Sequence, residues 1–140
     1  MKNNNYPNWL VPLEIAKELK EIGFDTPCSF YYDELLLKIS PYHDEEFSTT
    51  NWNDKLFRYC VSLPTWEQVF EWFREKGFDS YIGLENLPYP NEGIYYYFEI
   101  SKPNLYRINQ LDFKGEFDDY EEARETLVKT LIQTYKREQL

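Results

Sequence analysis

The chain has 140 residues, 42% of them hydrophobic and 19% aromatic, enough for one domain with a packed core and too apolar for a disordered chain. Its 25 acidic residues against 15 basic ones leave a net charge of −10, which argues against grasping nucleic acid through its phosphates or lying on an anionic membrane. That balance favours solubility and would draw a basic protein partner.

Residues 1–9 read as a flexible N-terminal tail ahead of a single globular domain over 10–140. The start is polar, with Asn3, Asn4 and Asn5 in a row, and lacks the apolar centre of a signal peptide. No run approaches the roughly 20 apolar residues that span a bilayer. Cys28 and Cys60 are far apart and form no CxxC, so two reduced thiols in a cytoplasmic protein are expected, with one disulfide left open.

Pro12 fits the first turn of a helix over 12–22, since its missing N–H is not needed there. Ile15, Ala16 and Leu19 form its apolar stripe, and Gly23 stops it. Residues 28–32 and 35–39 read as two short strands of a hairpin, turning at Asp33 and Glu34. Residues 41–54 form a long polar loop containing His43, Asp44, Glu45 and Glu46, and 55–63 can make a third strand.

The clearest folding signal follows. Thr65 and Gln68 have capping-box spacing, and Trp66, Val69, Phe70 and Phe73 share one helical face over 65–76. Gly77 ends this helix. Residues 81–85 read as a strand, then Pro88, Pro90 and Gly93 mark a turn. Residues 94–101 are the strongest strand, with Ile94, Tyr96, Phe98 and Ile100 on one face and Tyr95, Tyr97 and Glu99 on the other. An edge strand over 105–113 would leave a homodimer open. The last helix, 119–136, starts at Asp118 or Asp119, carries acids in its first turn and bases in its last, and buries Leu127 and Leu131.

Gly23-Phe24-Asp25 and Gly77-Phe78-Asp79 echo one another. They are consistent with an αββ unit used twice, but a shared helix stop with a hydrophobic latch explains them more simply. The fold class is α+β, three helices packed on one mainly antiparallel sheet of four or five strands. The core includes Ile15, Leu19, Val69, Phe73, Phe98, Leu127 and Leu131.

Chemistry is sparse. Five glycines form no phosphate-cradling motif, and the single histidine, His43, lies among loop acids without a framework for nucleophilic catalysis. Its neighbours lack the spacing of a calcium loop, and two distant cysteines do not make a zinc site. No cofactor or metal is implied. Two surface features are left. One is the acidic start of the last helix, Asp118, Asp119, Glu121 and Glu122, explained mainly as a cap and more sharply as a face for a basic partner. The other is Tyr95 and Tyr97, which could offer rings to a partner because tyrosine covers much area with few rotatable bonds.

Residues 10–24, 64–76 and 120–125, taken together, resemble a group of small bacteriophage and prophage proteins without assigned activity. The resemblance implies a phage-type accessory protein in the cytoplasm of a bacterial host, binding a host or defence protein through an acidic and aromatic surface. A nucleotide or signalling molecule held in an aromatic pocket is the alternative, for which Arg58, Arg74, Arg107 and Arg124 are the available cations. An enzyme with a carboxylate-based site is a third.

Overall fold

The computed structural model describes residues 6–41 and 49–140. Among them the chain is α+β, with three helices and six strands in two three-stranded antiparallel sheets. It divides into two compact units, Met1–Trp72 and Phe73–Leu140. Half of the 41–54 loop, residues 42–48 with His43 to Glu46 among them, lies outside the described residues.

In the first unit, α1 (Leu13–Glu21) buries Ile15, Ala16 and Leu19. It ends as its sequence predicts: Gly23 takes φ 97°, and Phe24 N–H donates to the Leu19 carbonyl at 3.0 Å, the wrap-around that satisfies a terminal carbonyl. Phe24 then packs on Trp72 with ring centroids 5.8 Å apart. Strands β1 (Phe30–Asp33), β2 (Lys38–Pro41) and β3 (Cys60–Ser62) form a sheet in the order β2-β1-β3. Tyr6 donates to the Val11 carbonyl, Trp66 Nε1 donates to that of Asn8 at 2.9 Å, and Trp9 meets Phe30 edge-on at 5.2 Å. The chain is therefore engaged from Tyr6 onward.

Helix α2 (Trp66–Glu75) carries the expected reciprocal cap. Gln68 N–H donates to Thr65 Oγ1 at 3.2 Å, and Thr65 N–H donates to Gln68 Oε1 at 2.9 Å. At its other end Gly77 takes φ 96°, and Phe78 N–H reaches the Phe73 carbonyl at 2.9 Å.

In the second unit, β4 (Asp79–Leu87), β5 (Gly93–Ser101) and β6 (Gln110–Phe117) form a sheet with β5 central. The β4–β5 register runs unbroken through nine pairs, from Asp79↔Ser101 to Leu87↔Gly93. The β5–β6 register shifts twice, between Tyr96 and Phe98 and between Ile100 and Ser101. Helix α3 (Tyr120–Glu138) packs on this sheet and buries Ala123, Leu127, Val128, Leu131 and Ile132 against Phe98 and Ile100. All seven expected core residues are buried, Ile15, Leu19 and Val69 in the first unit and Phe73, Phe98, Leu127 and Leu131 in the second. Each such side chain contributes about 1.5–3 kcal/mol on leaving water.

The single sheet of four or five strands is corrected to two sheets of three. β1 is paired on both edges by β2 and β3, and β5 on both edges by β4 and β6, so each ladder closes on its near neighbours in sequence. Three expected strands are also shorter than read. Asp33 Oδ1 accepts the N–H groups of Leu35 and Leu36 at 2.9 and 3.1 Å, and Leu37 takes φ 55°, so residues 35–37 form the hairpin turn. Asp54 Oδ1 holds Leu56 N–H at 2.9 Å, delaying β3 to Cys60. Asn104 Oδ1 holds Tyr106 and Arg107 at 2.8 and 3.0 Å, moving the edge strand from 105–113 to Gln110–Phe117. The two Gly-Phe-Asp stops match, but β1 is central in one sheet and the second of three strands is central in the other, so the echo is confined to the helix ends.

Candidate functional site

Alternation along β5 sends Tyr96, Phe98 and Ile100 toward α3 and turns Tyr95, Tyr97 and Glu99 to the opposite face. Antiparallel pairing then decides what joins them: Tyr81 lies opposite Glu99, Gly83 opposite Tyr97 and Glu85 opposite Tyr95. From β6, Phe113 is paired with Glu99.

These residues interlock. The Tyr97 ring passes over Gly83, where a Cβ would stand 2.7 Å from its Cζ and Oη. Tyr97 stacks on Phe113 at 5.3 Å and 29°, and meets Tyr81 edge-on at 5.8 Å and 83°, both favoured ring geometries. Tyr81 Oη donates to Glu99 Oε2 at 2.6 Å. That hydrogen bond, reinforced by Tyr97, holds the Tyr81 phenol well above its ordinary range, because ionisation would set a phenolate against a carboxylate. Glu85 Oε1 accepts the Glu116 N–H at 3.3 Å, at the first shift in β6. Tyr81 and Phe113 nevertheless keep 50% and 45% of their surface in solvent, so the array is ordered by its own contacts while its rings stay accessible.

The structure separates the two halves of the expected binding surface. Asp119 is the helix cap, its Oδ1 accepting Glu122 N–H at 2.7 Å. Asp118, Glu121 and Glu122 are exposed beside it. The adjacent Tyr120 meets Tyr96 edge-on at 5.8 Å, and Tyr96 belongs to the helix-facing side of the sheet. Tyr95 and Tyr97 face the other way. The acids beside Tyr95 and Tyr97 are Glu85 and Glu99. Glu99 was legible from alternation alone. Tyr81, Gly83, Glu85 and Phe113 required the strand register, which the Pro88–Pro90 turn could have supplied for β4. Of the cations considered for a nucleotide, Arg58 lies over Tyr59 at 5.4 Å and Arg124 over Tyr120 at 5.6 Å.

Cys28 is buried, and burial pushes its thiol up to about 12; Cys60 is half-buried and also raised, by burial and then by Asp33. Among the described residues, no group of three His, Cys, Asp or Glu side chains could hold a metal ion, and no helix is long and apolar enough to cross a membrane. Comparison with protein-family models, curated proteins and solved structures gives no match.

Proposed function

We propose that the protein is a non-enzymatic binding module that receives an arginine-bearing segment of a protein partner on the outer β4–β5–β6 face. The observation that carries this reading is the accessible array of Tyr81, Tyr97 and Phe113 with Glu99 fixed among the rings. A guanidinium over an exposed ring gains about 0.5–1 kcal/mol, and a neighbouring carboxylate adds a directed ion pair. Rings already held by one another lose little freedom on binding. The net charge of −10 would speed the approach of a basic partner. Glu85 and Glu99 would repel a nucleotide's phosphates, which favours the protein reading over a sequestered nucleotide. By the resemblance to small phage and prophage proteins, the partner is a host or defence protein of a bacterial cell.

The test is a titration of the isotope-labelled full chain with hexa-arginine, hexa-lysine and hexa-glutamate peptides, followed by backbone and aromatic NMR shifts. Saturable shifts at Tyr81, Tyr97, Glu99 and Phe113, stronger for arginine than lysine and lost in Phe113→Ala, are expected. Shifts confined to Asp118, Glu121 and Glu122, or scattered over all acidic residues, would overturn it.

A further inference from the structure

The other side of the same sheet holds a feature of opposite charge. Between β6 and α3 lies a groove of about 410 Å³, within the range of small-molecule sites. β6 lines it with Asp112 and Lys114, and α3 with Thr126, Lys129, Gln133 and Arg137. The register explains the first pair: Asp112 is opposite Ile100 and Lys114 opposite Phe98, so both turn toward the helix. The α3 residues recur three and four apart along one helical stripe. Three cations against one carboxylate therefore line one open groove in a chain whose net charge is −10. Aromatic side chains are missing from this lining, unlike the opposite face.

We infer that this groove binds a small hydroxylated phosphate monoester, the phosphate on Lys114, Lys129 and Arg137 and the hydroxyls toward Asp112 and Gln133. A phosphate dianion accounts for the three cations. It does not account for Asp112, which repels it; an alcohol donating to that carboxylate does. The amide of Gln133 can donate and accept, as a polyol requires. Without a ring to stack on, a nucleobase gains nothing here. The ligand meets existing contacts of the groove residues: Lys129 Nζ lies 3.8 Å from Glu125 Oε1, an Arg137 Nη donates to Thr134 Oγ1 at 3.2 Å, and Asp112 Oδ1 accepts the Phe113 N–H at 2.8 Å, so an alcohol is best placed on Oδ2. The first is long and solvent-exposed, so it opposes binding weakly. Thr130 also borders the groove, but its hydroxyl is spent on the Thr126 carbonyl at 2.8 Å.

The experiment titrates the full chain with glucose 6-phosphate, inorganic phosphate, glucose and sodium chloride at matched ionic strength, read by amide shifts. Saturable shifts at residues 112–114 and 126–137 are expected with both phosphates, the monoester binding about fivefold tighter through its hydroxyls. In Asp112→Asn, inorganic phosphate should bind about fivefold tighter as the repulsion is removed, so the advantage of the monoester shrinks. Lys129→Gln with Arg137→Gln should weaken both phosphates at least tenfold. Asp112 is half-buried and Lys129 and Arg137 are exposed, and an amide spectrum retained away from the groove reports that each variant is folded. Shifts equal to those with chloride, or binding of glucose equal to that of glucose 6-phosphate, would overturn the inference. So would phosphate affinity that falls or stays constant in Asp112→Asn.

Discussion

Tyr97 crosses Gly83 so closely that the glycine's missing side chain is the space the tyrosine's phenol end occupies. A glycine in mid-strand normally weakens pairing; here it seats the central ring of the exposed array, and the stacking on Phe113 depends on that seat. Gly83→Ala should therefore cost about 1–3 kcal/mol, the usual range for overpacking, and displace Tyr97 from Phe113. In a Tyr97→Ala background the same substitution should cost much less. Chemical denaturation of the four proteins in this cycle measures the coupling, and strictly additive costs would show that the two residues do not share the space.

Glu99→Gln removes the carboxylate that raises the Tyr81 phenol. An ultraviolet titration of tyrosinate should show one phenol moving down toward its ordinary value of 10.0. The folded-state value of Tyr81 is raised, so its hydrogen bond contributes stability that is fully present at neutral pH. That contribution is lost as pH climbs from about 10 through the higher folded value. In Glu99→Gln the folded and unfolded values of Tyr81 draw together, so this part of the alkaline loss of stability should flatten.

Thr65→Ala breaks one half of the α2 cap and should cost about 1 kcal/mol. Gln68→Ala should cost more, because Gln68 also donates through Nε2 to the Pro27 carbonyl at 3.1 Å; a further hydrogen bond is worth about 1 kcal/mol. Urea midpoints of the two variants give the order directly.

The two thiols should react in sequence. Cys28 is buried and raised to about 12, so its thiolate is scarce at pH 8, whereas Cys60 has part of its surface in solvent. Mass spectrometry after a limited exposure to iodoacetamide should find Cys60 modified first and Cys28 only after unfolding. Because the folded-state Cys28 value exceeds the ordinary 9.0, keeping the neutral thiol stabilises the fold below about pH 9. That stability is lost as pH rises toward about 12, and Cys28→Ser should flatten this part of the pH profile.

The helices were legible because their signals are local. Thr65 with Gln68, Asp119 with Glu122, and the glycines at 23 and 77 each act within one turn, and each makes the bond its spacing implies. The sheet was misread wherever one polar side chain competed with the ladder for backbone N–H groups. Asp33, Asp54 and Asn104 each take amides that an apolar run would otherwise offer to a neighbouring strand. Leu36, Leu56 and Tyr106 are left in solvent as a result. Periodicity counts apolar residues and is blind to a carboxylate or amide oxygen two positions upstream. The aromatic face shows the same limit in another form: Tyr95, Tyr97 and Glu99 follow from alternation, while Tyr81 and Phe113 come from other strands and enter only with register.

The two shifts in β6 also bear on how far the sheet can grow. A strand added beyond β6 would need donors and acceptors at even intervals, and the extra residues near Gly115 and Leu111 throw that edge out of step. With Lys114 on the same strand, β6 is a poor template for cross-β stacking. A chain this rich in tyrosine can thus display rings at high concentration without that edge seeding a fibril.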